Sequence, residues 1–353
     1  MSPAAASFGK PFSSSPIPAD PVGGAEQNRR RLPLKGSELY HVFSFLEPKD
    51  LGRLERVNTV FEDAVGYQWR SRCRELLSLP IGADLNPFLP EDLSVKTSVL
   101  LLSNNVFDER VYDRHIGDVE PALLASQIKS IFLKNCNKPD PCDPTKKIGT
   151  EYVLMYIPEY ITINRNGVSL DKADDPNNAE APRLIQTAAN SEGVQSENTT
   201  LKVAVTINNL RELFQEPKIG HPSTYSYIGD QIANQHGNKR VPAQWVCMRK
   251  DVIGRKLTFN QQLELAREKE VVPTELLPRI LFNFLISVRA ANVNTYQDGR
   301  NPWTIVRTQT LTNDSNGNSR SSGCGGGGPS GLRVCNDFID IGNDNVGVAV
   351  ALP

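Results

Sequence analysis

The run from Leu32 to Phe61, LPLKGSELYHVFSFLEPKDLGRLERVNTVF, carries more large apolar side chains than so short a segment can bury on itself. Helical periodicity orders them. Ser37 reads as an N-cap with Glu38 in the first turn, and Leu39, Val42, Phe43 and Leu46 follow at i, i+3, i+4 and i+7 on one stripe. Phe45 lies about 100° round the helix and cannot share it. Pro48 suits the first position of a second helix whose apolar line is Leu51, Leu54 and Val57. Thr59 and Glu62 make a capping box for a third helix, which carries Phe61, Ala64, Val65, Trp69, Cys73 and Leu76 and stops before Pro80. Each large apolar side chain gains about 1.5–3 kcal/mol on burial. Phe45 and the Leu32-Pro33 pair must therefore be covered by the rest of the chain or by another protein.

The remainder of the chain changes character. Residues 1–30 are rich in Ser, Pro, Ala and Gly, cannot offset the entropy of ordering, and are expected to be disordered. After the helical module, 31–79, a proline-punctuated connection is expected over 80–118, then a larger domain over 119–353. There EPALLASQIKSIFLKNC reads as a helix, and YVLMYIPEYITI, LKVAVTI, AQWVCMRKDVI, WTIVRTQTL, GLRVCNDFIDI and NVGVAVAL read as strands. Asn166-Gly167 is a hairpin signal, and the polar stretch from Ala173 to Thr199 reads as a loop. Thr258 to Gln261 caps an amphipathic helix, and TELLPRILFNFLISVRAAN places Leu277, Ile280, Leu281, Phe284, Leu285 and Val288 on one face. NDSNGNSRSSGCGGGGPSG reads as a flexible loop. The expected fold class is α+β, a small three-helix module followed by a larger mixed domain. EYVLMYIPEYITIN and QWVCMRKDVIGRKLTFN share an aromatic-Val-x-Met pattern, the mark of a duplicated unit or of chance likeness between two apolar strands.

Composition excludes several classes. A net charge of −1 gives no electrostatic reason to expect nucleic acid or an anionic membrane as partner. The start of the chain lacks a basic segment followed by an apolar core, and LLPRILFNFLISV is too short and too polar to span a bilayer, so a soluble protein is expected. The six cysteines are scattered, and Cys136 and Cys142 have no second pair at zinc-site spacing. No cofactor and no metal are expected.

The Leu32–Trp69 segment resembles an F-box. The specific part is FSFLEPKDLGRLERV, preceded by Leu-Pro and followed by Val57 and Trp69. It departs from the pattern in having Phe61 where the first Trp is usual, Asn58 where Cys is common, and a longer spacing from Pro33 to Leu46. The resemblance implies a non-catalytic substrate receptor that docks on the adaptor subunit of an SCF-type cullin–RING ubiquitin ligase and recruits an unidentified protein substrate. By match of position, the docking surface would comprise Leu32, Pro33, Phe43, Phe45, Leu46, Leu51 and Val57. These positions can equally serve the module's own core, and for Leu39, Leu54 and Phe61 the core is the preferred role. The pieces YVLMYIPEYITIN, PAQWVCMRKDVIG, NPWTIVRTQT and NVGVAVAL resemble the C-terminal region of F-box proteins from chlamydia-like bacteria that live inside amoebae. That likeness implies an effector secreted into the host cytoplasm; otherwise a cytoplasmic protein is expected.

Catalytic patterns are sparse. Cys247 with His236 or His221 is the one arrangement open to nucleophilic chemistry, although a thiol in mid-strand is ordinarily buried and inert. GCGGGGPSG lacks the Lys-Ser/Thr of a phosphate loop, and Asp337, Asp340 and Asp344 do not have calcium-loop spacing. Tyr225, Tyr227, Trp245 and Trp303 are equally placed to be substrate anchors or core.

Overall fold

The computed structural model describes residues 43–44, 46, 48–54, 59–115, 118–120, 124–164, 195–197, 200–213, 225–289, 305–328 and 331–353. The fold is α+β. Helix α1, Pro48–Leu54, begins at the expected proline, and α2, Thr59–Leu76, at the expected threonine. The stretch read as a connection supplies α3, Val95–Asn105, strand β1, Val106–Phe107, and α4, Glu109–His115. Ser94 caps α3 by accepting a hydrogen bond from the Thr97 amide at 3.2 Å. Val99, Leu102 and Val106 are buried in one cluster with Leu51, Trp69 and Leu77. Prolines there mark turns between core elements.

Then follow β2, Asp118–Val119, α5, Ala125–Asn135, α6, Ile148–Glu151, β3, Tyr152–Ile157, and β4, Tyr160–Asn164, which joins a different sheet from β3. Every residue of β3 is buried, because the strand divides two cores. Val153, Met155 and Ile157 enter one with Met248, and Tyr152 and Leu154 enter the other beside Trp245 and Cys247. A period of two over a doubly covered strand gives an unbroken apolar run.

The chain continues through β5, Gln195–Glu197, β6, Thr200–Ala204, α7, Ile207–Leu213, β7, Tyr225–Ile228, α8, Asp230–His236, and β8, Gln244–Arg249. Helix α9, Phe259–Glu268, has the expected capping box between Thr258 and Gln261. Next come β9, Val272–Pro273, α10, Leu276–Arg289, β10, Ile305–Asn313, β11, Ser319–Gly328, β12, Gly331–Phe338, β13, Val346–Val348, and β14, Val350–Ala351. Among the described residues the strands form three sheets, ordered β1-β3-β8-β14-β9, β13-β10-β11-β12-β7 and β2-β4-β6-β5. The chain passes from the second to the first at Ala349, whose amide donates to the Arg307 carbonyl while its own carbonyl accepts from the Thr274 amide, both at 2.9 Å.

Beyond the connection, two loop readings change: β5 falls inside the polar stretch from Ala173 to Thr199, and the glycine-rich stretch is paired. Its strand β11 lies between β10 and β12 in the sheet. A Cβ on Gly323 would stand 2.5 Å from the Val306 carbonyl oxygen, so the close strand approach requires glycine there. The repeated aromatic-Val-x-Met segments are β3 and β8, paired antiparallel with Leu154 opposite Cys247, Val153 opposite Met248 and Met155 opposite Val246. Strand β4 of another sheet follows the first and helix α9 the second, so the likeness reflects one shared sheet environment. The Asn166-Gly167 signal lies outside the described residues.

Candidate docking surface

Of the positions matched to the docking surface, Leu32, Pro33, Phe45 and Val57 lie outside the described residues. Phe43 is 4% exposed and Leu51 0%, and both belong to the core that reaches Tyr152 and Leu154. Of the two roles the sequence leaves open, these side chains have the core one. Leu46 is half-buried against the same cluster, and its carbonyl accepts from the Arg72 guanidinium, tying the first helical segment to α2.

Helix α2 is amphipathic in the way its sequence foretells. Ala64, Val65, Trp69 and Cys73 face inward and Leu76 is half-buried against the same cluster, the Phe61 side chain lying outside the described ones; Leu77, just past the helix, is buried as well, and Arg70, Ser71 and Tyr67 face out, Tyr67 being 43% exposed. Trp69 lies under the Lys96 ammonium, 5.8 Å from the ring centroid. Burial pushes the Cys73 thiol up to about 11, so it stays protonated at neutral pH.

Behind this face lies a buried ion-pair network that the sequence reading missed. The Lys129 ammonium, on α5, donates to Asp108 Oδ2 at 2.9 Å and to the Leu76 carbonyl at 2.8 Å, and sits 5.7 Å over the Trp245 ring. Arg110 donates to Asp108 Oδ2 at 2.8 Å and approaches Glu75 at 3.4 Å. Burial works to raise the Asp108 carboxyl, and the Arg110 and Lys129 cations override it and hold it below the usual range. In IKSIF the lysine falls among apolar residues on a helix, the only local signal, and its partners are remote in sequence.

A second network explains NCNKPDPCDP. Asp140 accepts from the Tyr152 hydroxyl at 2.9 Å, Arg249 Nε at 3.0 Å and the Cys142 amide at 2.9 Å. Cys136 donates its thiol to the Leu133 carbonyl. Among the described residues no group of three or more His, Cys, Asp or Glu side chains is placed to hold a metal ion. Among them, too, no helix is long and apolar enough to cross a membrane.

Cys247 and His236 are each engaged elsewhere. Cys247 packs against the core that holds Leu154, and burial pushes its thiol up to about 12, which suppresses the nucleophilic thiolate. His236 Nε2 is 2.7 Å from the Leu311 carbonyl, and the neighbouring Gln235 amide bonds both the N–H and the carbonyl of Asn313. Together these side chains close the β10 edge that β13 leaves uncovered. In the shallow cleft beside them, Glu275 already accepts from Gln309 at 2.9 Å and Thr310 at 2.7 Å. His221 and Trp303 lie outside the described residues.

Comparison with protein families, curated proteins and solved structures finds no match to this chain.

Proposed function

We propose that the chain is a non-catalytic F-box-type substrate receptor. Its helical segment docks on the adaptor subunit of an SCF-type cullin–RING ubiquitin ligase, and its α+β part recruits a protein to be ubiquitinated, as an effector of a chlamydia-like bacterium in host cytoplasm. The observation that carries this reading is the FSFLEPKDLGRLERV run set between Leu32-Pro33 and Trp69. In this reading Leu32, Pro33, Phe45, Leu46 and Val57 carry the contact, while Phe43 and Leu51, which are buried, serve the chain's own core. Neither nucleic acid nor membrane is a partner in this reading, and no cofactor takes part.

One observation favours a second reading, a plain interaction protein whose helices only complete its own core: Leu51 and Trp69 share a cluster with Leu154. Purified adaptor separates the two. In biolayer interferometry the full chain binds it with at least micromolar affinity, and Phe45→Ala with Leu46→Ala abolishes binding while the circular dichroism spectrum is kept. Absence of binding at micromolar adaptor removes the receptor reading and leaves the second.

A further inference from the structure

A fully buried lysine needs every proton of its ammonium answered, because the cost of stripping its water is recovered only in fixed geometry. Lys129 is 0% exposed, and the groups around it come from three separate parts of the chain. Leu76, whose carbonyl it holds, is the last residue of α2. Asp108 follows directly on β1. Trp245, under the ammonium, stands in β8. If the end of α2 moved off the sheet, that carbonyl would be lost to Lys129 in the interior.

The segment between α2 and α3 is pinned as well. Arg74 Nε donates to the Ala83 carbonyl at 2.8 Å, the Ser130 hydroxyl to the Phe88 carbonyl at 2.7 Å, and the Lys134 ammonium to the Pro87 carbonyl at 3.2 Å. A proline-rich stretch bound to α5 at successive carbonyls is no hinge.

We infer that Lys129 locks helices α1 and α2 onto the sheet of β3 and β8 as one rigid body, so that any protein gripping the helices meets the rest of the chain in a single fixed orientation. The lock stands on its own geometry and holds whether or not the partner is a ligase adaptor. It excludes a receptor whose helical end swings on a linker.

Native-state hydrogen exchange of the full chain in low urea tests it. In the wild type, amides of α2 and β3 exchange through one common opening with the same dependence on urea. In Lys129→Met, the amides of Leu77, Ser78 and Leu79, bonded to the Cys73, Glu75 and Arg74 carbonyls, exchange about tenfold faster while β3 stays protected. Should that variant fail to fold, Asp108→Asn keeps an acceptor for the lysine but weakens the pair, and gives about threefold faster exchange at the same amides. Separate opening of α2 in the wild type overturns the inference. So do rates at Leu77–Leu79 that remain at wild-type values in whichever variant folds.

Discussion

Replacing Arg307 with Met should be among the most damaging single changes in the α+β part. Arg307 is 0% exposed and stands in β10 between β13 and β11. Its guanidinium takes Asp337 Oδ2 in two contacts, Nε at 3.0 Å and Nη2 at 2.9 Å. It also donates to the Ile341 carbonyl at 2.8 Å and reaches the Leu257 carbonyl and Gln262 Oε1, each at 3.4 Å. One side chain thus fastens the acidic turn after β12 to the start of α9. Removing one partner of a buried pair costs about 3–5 kcal/mol, most of it from the group left behind. Asp337 is 19% exposed and regains some water, which sets the expectation at the low end, about 3 kcal/mol. Urea unfolding followed by circular dichroism reads this as a lower midpoint at unchanged slope. Adding Asp337→Leu removes the carboxylate that faces Arg307, so the double variant should be less destabilised than the two single losses summed, by about 1–3 kcal/mol. A loss below about 1 kcal/mol for Arg307→Met, the range of surface changes, would refute the reasoning.

Further outcomes follow from three single positions. Asp314 in the β10–β11 turn is held down to about 2, chiefly by the Asn318 amide and then by the Arg320 guanidinium. A depressed folded value contributes stability above the unfolded value, about 4, and loses it as pH falls toward about 2. Wild type and Asp314→Ala should therefore differ in melting temperature at pH 7 and converge between pH 4 and 2; a gap constant across that window contradicts the assignment. Gly323→Ala drives a methyl into the Val306 carbonyl and should cost about 1–3 kcal/mol in urea unfolding. Gly317→Ala, at φ +81° with open space around it, should cost about 1 kcal/mol from backbone strain alone, and equal losses at the two sites would count against the clash.

Local rules determined a good part of this protein. The Thr258–Gln261 box caps its helix where the sequence places it, and Pro48 and Thr59 are the first residues of theirs, since such signals depend on neighbours along the chain. The α+β class and the inward stripe of α2 were equally legible, because periodicity of 3.6 or 2 is written in order. What lay beyond the sequence was every choice made by residues far apart in it. The glycine-rich stretch has the composition of a linker, and only the neighbouring backbone at Val306 makes it a strand. Phe43 and Leu51 could have been contact or core; the cluster built by α3, α5 and β3 gave them the core. Lys129, Asp140 and Arg307 look like ordinary surface charges until tertiary packing brings their counter-ions within 3 Å and removes the water. Desolvation and its compensation are properties of three-dimensional neighbours, and no spacing rule along one chain can report them.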